Sequence, residues 1–423
     1  MEKQQMAAGG LSAGQIGAVA AGNALEFYDF LIFGLFATQI GATFFPVKDE
    51  TGRLLVTLAT FGVGFLTRPL GGALIGRLGD RVGRKPAMLF SFGLMGLSIV
   101  GLALTPSYAS IGKAAPILVV IFRLLQGFAL GGEVGPSTAF LMEAAPVKRR
   151  GLYVSLQFAT QQAATLCAGI VGVILASLLT PQHMSAWGWR VAMLLGASVV
   201  PVGLAIRRNL PETLEQRSAG RLPRPTLGQV ALAVLTLLIL ASVTIATYTL
   251  ININLYATHT LNFTQAQAFG GVVIGGFVGM IVNPIGGWLS DRAGRKPVMI
   301  GAYGLLCAVG LPCFMAMAQL HAVSILYAVV ALMAALLALG TPPILAQIGE
   351  SLPIQMRSGG IGFIYAFAIA IFGGTTTYVV TWLTAVTRSP LAPAWYMCSA
   401  LALGVLSMLT MRETAPVKLG TRS

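Results

Sequence analysis

The stretch GRLGDRVGRKPAM (residues 76–88) returns at residues 287–299 as GWLSDRAGRKPVM, with nine of thirteen positions identical at an offset of 211. A fainter echo accompanies it: Glu143, Pro146 and Arg150 are answered by Glu350, Pro353 and Arg357. Two echoes at nearly the same spacing, in the same chain direction, imply two halves of one design joined head to tail. Outward from both copies the sequence is apolar. Of 423 residues 56% are hydrophobic and 9% charged, with a mean hydropathy of +0.81. A soluble domain carries about 25% charged residues, so the solvent over most of this surface is lipid.

A bilayer core of about 30 Å needs about 20 helical residues. Apolar stretches of that length predict twelve spans: 16–44, 53–76, 86–105, 115–142, 151–180, 188–208, 228–258, 265–287, 298–318, 322–349, 359–385 and 394–412. The expected fold is therefore an all-α polytopic membrane protein, with an amino-terminal six-helix bundle at 1–206, a linker at 207–227 and a second bundle at 228–423. With the amino terminus in the cytoplasm, twenty of the 27 Lys and Arg residues fall on that side and five (Lys48, Arg53, Lys113, Arg190 and Arg388) on the other. Such asymmetry sets orientation. It also explains the net charge of +14 without nucleic acid. Both termini are expected in the cytoplasm, and no signal peptide is expected, because the first fifteen residues lack an apolar core. Cys167, Cys307, Cys313 and Cys398 fall in apolar segments and read as small buried hydrophobes. His183, His259 and His321 are scattered at the outer ends and form no metal pattern. The glycines of GFALGGEVG and GGVVIGGFVG lie inside apolar helices with no preceding strand and no G-K-[ST], so they read as helix-packing positions rather than a nucleotide cradle.

The doubled G-x-L-x-D-R-x-G-R-K, placed between helices 2 and 3 and between helices 8 and 9, resembles the signature loop of the major facilitator superfamily. GNALEFYDF (22–30), FLTRPLGG (65–72), RLLQGFALGGEVG (123–135) and WGWR (187–190) are similar to its metabolite:proton symporter branch. LQFATQQAATL (156–166) and AIFGGTTTYV (370–379) look most like the carriers of citrate and tricarballylate in that branch, which also includes 2-oxoglutarate carriers. Phe27 departs from the pattern, since many members carry Trp or Gln there. The resemblance implies the major facilitator fold and transport by alternating access.

A charge at mid-bilayer costs at least about 2.5–3.5 kcal/mol, so each one needs a reason. The first half holds Glu26, Asp29, Arg68, Arg123 and Glu133 at such depth; the second holds amides and hydroxyls, among them Asn252, Asn254, Asn283, Tyr248 and Tyr365. Glu26 and Asp29 share one helix face, and two acids that close disfavour joint ionisation. Two readings stand: proton coupling through Glu26 or Asp29, with Glu133 a further candidate, or a permanent ion pair holding helices 1, 2 and 4. The helix 1 acid and helix 4 arginine also resemble those of proton-coupled sugar porters, which implies a coupling role for Asp29 and Arg123. Arg68 and Arg123 are candidates for an anionic substrate, supported by Asn23, Tyr28, Gln157, Gln161, Arg190 and Tyr365. At the cytoplasmic face Asp80, Arg84, Glu143 and Arg150, with Asp291, Arg295, Glu350 and Arg357, form an expected salt-bridged gate.

The reading is a proton-coupled carrier in a bacterial inner membrane importing a small organic anion, a di- or tricarboxylate such as citrate, and working as a monomer. A proton symporter for 2-oxoglutarate, shikimate, an aromatic acid or a betaine is the alternative within transport; a non-transporting sensor is the alternative outside it. No nucleophile–base set or metal cluster points to an enzyme. No cofactor is expected beyond the coupling proton, with sodium left open.

Overall fold

The computed structural model describes residues 24, 27–28, 30–82, 84–131, 141–142, 145–198, 201, 227–351 and 364–419. Within these, the side chains of 76–77, 79–82, 84–85, 87–88, 227–230 and 419 lie outside the description. Every described regular element is helical. That is what a lipid solvent dictates, since a helix satisfies its backbone N–H and C=O groups internally. In chain order the principal helices are α1 (Ala37–Phe44), continuing a helical run from residue 30, α2 (Glu50–Leu66), α3 (Arg68–Val82), α4 (Arg84–Leu104), α5 (Ala114–Leu130), α6 (Arg150–Leu178), α7 (Trp189–Ala197), α8 (Leu227–Ile251), α9 (Ile253–His259), α10 (Gln265–Ala293), α11 (Arg295–Leu320), α12 (Val323–Ser351), α13 (Gly374–Thr387) and α14 (Ala392–Thr410).

Eight described segments are long and apolar enough to span a bilayer, and 89–104 and 114–130 are shorter apolar helices. The remaining two expected spans, the first and the sixth, are described only over 24, 27–28 and 30–44 and over 188–198 and 201. Large apolar side chains such as Leu66, Leu97, Leu178 and Trp395 face outward, as a lipid-facing surface requires. Of the cysteines expected to be buried, only Cys313 is. Cys307 and Cys398 are half-buried and Cys167 is exposed, all four as free thiols. An apolar thiol has no reason to hide from lipid.

The second signature segment is not a loop. Helix α10 runs through Gly287–Ala293, one residue turns the chain, and α11 begins at Arg295. That residue is Gly294, whose φ of 107° lies where only glycine is comfortable. Among the described residues, two of the helix contacts that join the halves are extensive. α6 packs along the length of α10, close enough that a Cβ on Gly276 would sit 2.5 Å from the Leu166 backbone nitrogen. α2 packs on α13, where a Cβ on Gly62 would lie 2.6 Å from the Gly374 carbonyl oxygen. The glycines are therefore close-approach positions between helices.

Candidate functional site

A cavity of about 120 Å³ lies between the halves, lined from the first by Phe27, Phe30, Arg68, Leu130, Phe158, Gln161 and Gln162, and from the second by Tyr248, Asn283, Thr341, Tyr365 and aliphatic neighbours. Arg68 opens α3 directly after the kink at Thr67, and Pro69 at the next position suits a first helical turn. Its guanidinium lies over the rings of Phe65 (4.3 Å to the centroid) and Phe30 (4.8 Å). Among the described residues no carboxylate pairs with it, and its Nε, buried from solvent, has no hydrogen-bond partner. Tyr248 and Tyr365 are phenols of the second half that line the same cavity. A guanidinium in an apolar wall is costly without an anion, and none of the described residues supplies one to Arg68. Here the cation is held by ring faces.

The other expected substrate residues separate. Gln161 and Tyr365 line the cavity with Arg68. Gln157 is buried off the lining. Tyr28 donates to the Ala192 carbonyl at 3.1 Å, tying the first helix to α7. Arg123 is fully buried outside the cavity lining, over Phe33 (4.4 Å), Phe61 (5.0 Å) and Phe30 (5.6 Å), and donates to the Phe61 carbonyl (3.1 Å) and to Gln126. It braces the first helix, α2 and α5 behind the cavity. Arg190 stands at the far end of the bundle, donating to the Ala103 carbonyl and stacked on Trp189 (4.5 Å), which makes it an anchor remote from the cavity. Asn23, Glu26, Asp29 and Glu133 lie outside the described residues.

At the signature end the second half carries a buried cluster. Arg295 Nη1 meets Asp291 at 2.6 Å and Ser290 Oγ at 2.8 Å, and Nη2 meets Glu350 at 3.1 Å. The other Asp291 contacts cross between halves, accepting the backbone N–H of Gly151 and Leu152, both at 2.9 Å. These are first-turn donors of α6, so the carboxylate also meets the positive end of a helix dipole. Arg150, at the start of α6, is half-buried with its Nε unpaired. Side chains of Asp80 and Arg84, and residues Glu143 and Arg357, lie outside the description.

Glu413 and Thr414 belong to this cluster without having been expected there. Glu413 accepts the N–H groups of Arg295 and Lys296, both at 3.0 Å, capping α11, and Thr414 donates to Glu350 and to Gln347, both at 2.8 Å. Burial pushes the Glu413 carboxyl up, but N–H donation from Ala415, Lys296, Arg295 and Thr414 outweighs it and holds the group below the usual carboxylate range. A signal existed: Pro-Glu-Thr at 211–213 and Arg-Glu-Thr at 412–414 follow the last span of each half. The Phe30–Phe65 cradle was equally unforeseen, because aromatic residues in an apolar helix carry no mark of which face they share.

The Major Facilitator Superfamily model matches residues 27–375. The chain is 33% identical over 414 residues to a citrate-proton symporter of Salmonella typhi, covering 95% of each chain. It is 34% identical over 385 residues to an alpha-ketoglutarate permease of Escherichia coli, covering 89% of this chain and 88% of the relative. Among solved structures it resembles the proton:xylose symporter XylE bound to 6-bromo-6-deoxy-D-glucose, with a TM-score of 0.76, 18% identity and coverage of 94% and 95%. The repeat, the helices, the cavity between the halves and these matches agree: the chain is a multi-pass membrane carrier, not an enzyme, and belongs to the major facilitator superfamily.

Proposed function

We propose that the chain is a proton-coupled symporter of an inner membrane, importing a small organic anion, with citrate or a related di- or tricarboxylate as its cargo. The carrying observation is Arg68, a guanidinium on the cavity wall with no carboxylate partner among the described residues. A substrate carboxylate completes it, with Tyr248, Tyr365, Gln161, Gln162, Asn283 and Thr341 within the same cavity to meet further oxygens. Relatives named as citrate-proton symporter and alpha-ketoglutarate permease support the anion class.

A relative named as proline/betaine transporter, 30% identical, raises the zwitterion as a rival cargo. The cavity argues against it, since Arg68 already occupies the faces of Phe30 and Phe65, where a quaternary ammonium would sit. No observation favours a non-transporting sensor. In this reading Glu26 or Asp29 carries the proton, with Arg123 and Glu133 as supports. Asp80, Arg84, Glu143, Arg150, Asp291, Arg295, Glu350 and Arg357 close the cytoplasmic side. The bundles are 1–206 and 228–423 about the linker 207–227, both termini are cytoplasmic, and the working unit is one chain.

The test is uptake into proteoliposomes of labelled citrate, tricarballylate, 2-oxoglutarate, shikimate and glycine betaine under an inward proton gradient, with and without uncoupler and with sodium replaced by potassium. Concentrative uptake of a carboxylate that collapses with uncoupler is expected. Betaine-only uptake, or carboxylate exchange indifferent to the gradient, would overturn the proposal.

A further inference from the structure

The end opposite the signature segments is closed mostly by apolar contact. Ala37, Leu54 and Leu58 of the first half pack on Leu255 of α9, with Tyr378 of α13 beside them. Asn254 donates to the Leu35 carbonyl at 3.1 Å. At the rim of this closure stands His259, the last residue of α9, and it joins three elements at once. Its Nε2 lies 2.9 Å from Thr38 Oγ1 of α1, and its Nδ1 lies 3.6 Å from Glu50 Oε1, in the first turn of α2. Both partners are in the first half, 221 and 209 positions away in sequence.

We propose that His259 is a proton-responsive latch of this end of the carrier: neutral, its imidazole ties α9 to α1 and α2, and protonated, it lets the two halves part. A neutral imidazole suits both contacts at once, with Nδ1–H turned to the Glu50 carboxylate and Nε2 accepting the Thr38 hydroxyl hydrogen. Adding a proton places a charge on a ring at the rim whose side chain is 27% exposed. Glu50 is the charged group that acts on the ring, but its side chain is 65% exposed, so solvent screens much of its attraction. Lys48, Asp49 and Arg53 are the next charges on that stretch, and Asp49 is engaged with the Gly52 N–H at 2.6 Å. Among the elements packed on α9, α13 is closed at its C-cap by Arg388, two residues before Pro390, whose carbonyl accepts from Tyr256 of α9 at 2.8 Å. α8 holds no charge, and α10 opens with Gln265 and Gln267 while its Asp291 and Arg292 lie at the far end.

Burial lowers the imidazole pKa and Glu50 offsets only part of this. The closed state therefore binds the proton less well than an open, hydrated one. The latch is at full strength above the ordinary imidazole value of about 6.5 and is lost as pH falls toward the lowered value of the closed state. If, as in the transport reading, this end faces outward, the protons that drive import also open it. The test does not depend on that reading, because closure is measured without substrate.

Spin labels at positions 47 and 262, on full-length protein in nanodiscs with the four native cysteines replaced, report the separation of the halves from about pH 7.5 to about pH 5.5, a range that brackets imidazole titration. The expected result is a several-fold loss of the short-distance population on acidification. His259→Gln should flatten that response. Glu50→Gln should keep it but move its midpoint to lower pH, because the group favouring protonation is gone. Thr38→Val should weaken closure at every pH while leaving the pH response in place. A His259→Gln protein that is monodisperse and still opens with acid as the parent does would overturn the proposal, as would a parent protein that does not respond.

Discussion

Replacing Asp291 with Asn should unlatch the signature end by a calculable amount. The carboxylate is 5% exposed and serves three donors: the Gly151 and Leu152 N–H groups of the other half, and Arg295 of its own. Asn keeps one acceptor oxygen and turns an N–H₂ toward donors that need an acceptor. A hydrogen bond to a charged group contributes about 1.5–3 kcal/mol and a neutral one about 0.5–1.5, so the two cross-half bonds lose about 2 kcal/mol together. That is a shift of about thirtyfold in the closed-to-open ratio of this end. The Arg295 side loses less than the about 3–5 kcal/mol of a fully broken buried pair, because Glu350 remains at 3.1 Å. The two losses are separable. The cross-half part appears in the distance distribution between labels flanking Gly151 and Gly287, and the part within the second half appears as a lower Tm. A closed population within about twofold of the parent, less than 0.5 kcal/mol, would refute the idea that Asp291 holds the two halves together.

Arg68→Ala removes the cation that lines the cavity and should weaken carboxylate binding by about 2–5 kcal/mol; Arg68→Lys should recover only part, since a point charge cannot form the planar two-point contact, and calorimetric titration with citrate compares the three proteins. Gly62→Val puts side-chain atoms where a Cβ alone already meets the Gly374 carbonyl oxygen at 2.6 Å, so closure of the end opposite the signature segments should fail, read as a standing increase in the 47–262 distance. Glu413→Gln should lower Tm at neutral pH and erase the acid-dependent loss expected of the parent. The carboxyl is held below its ordinary value, so its stabilisation is complete above that value and disappears as pH falls through the lowered one. Gly294→Ala meets both a φ of 107° and Glu413 Oε2 at 2.9 Å, so it should destabilise more than Gly301→Ala, where nothing stands within 4 Å.

The spans were legible because lipid imposes a length and a composition on any helix that crosses it. The expected 151–180 is observed as Arg150–Leu178, and 322–349 as Val323–Ser351. The signature segment was legible as a repeat but not as a shape, since its one turning residue is Gly294 and the cap that ends the turn, Glu413, arrives from more than a hundred residues away. Arg68 and Arg123 looked alike from composition, two arginines at similar depth. In space one lines the cavity and the other is walled behind Phe33 and Phe61. His259 read as one of three scattered histidines and is in fact the meeting point of α1, α2 and α9.

From order and composition alone the chain is a membrane carrier of two like halves, because hydropathy, loop charge and a doubled motif are properties of neighbouring residues. Which arginine faces the cavity depends on contacts within the first half but distant in sequence, and which carboxylate joins the halves and which histidine latches them depend on contacts between residues more than a hundred positions apart. Only the packing of one half on the other brings Asp291 within hydrogen-bond reach of the Gly151 and Leu152 N–H groups, and His259 within reach of Thr38.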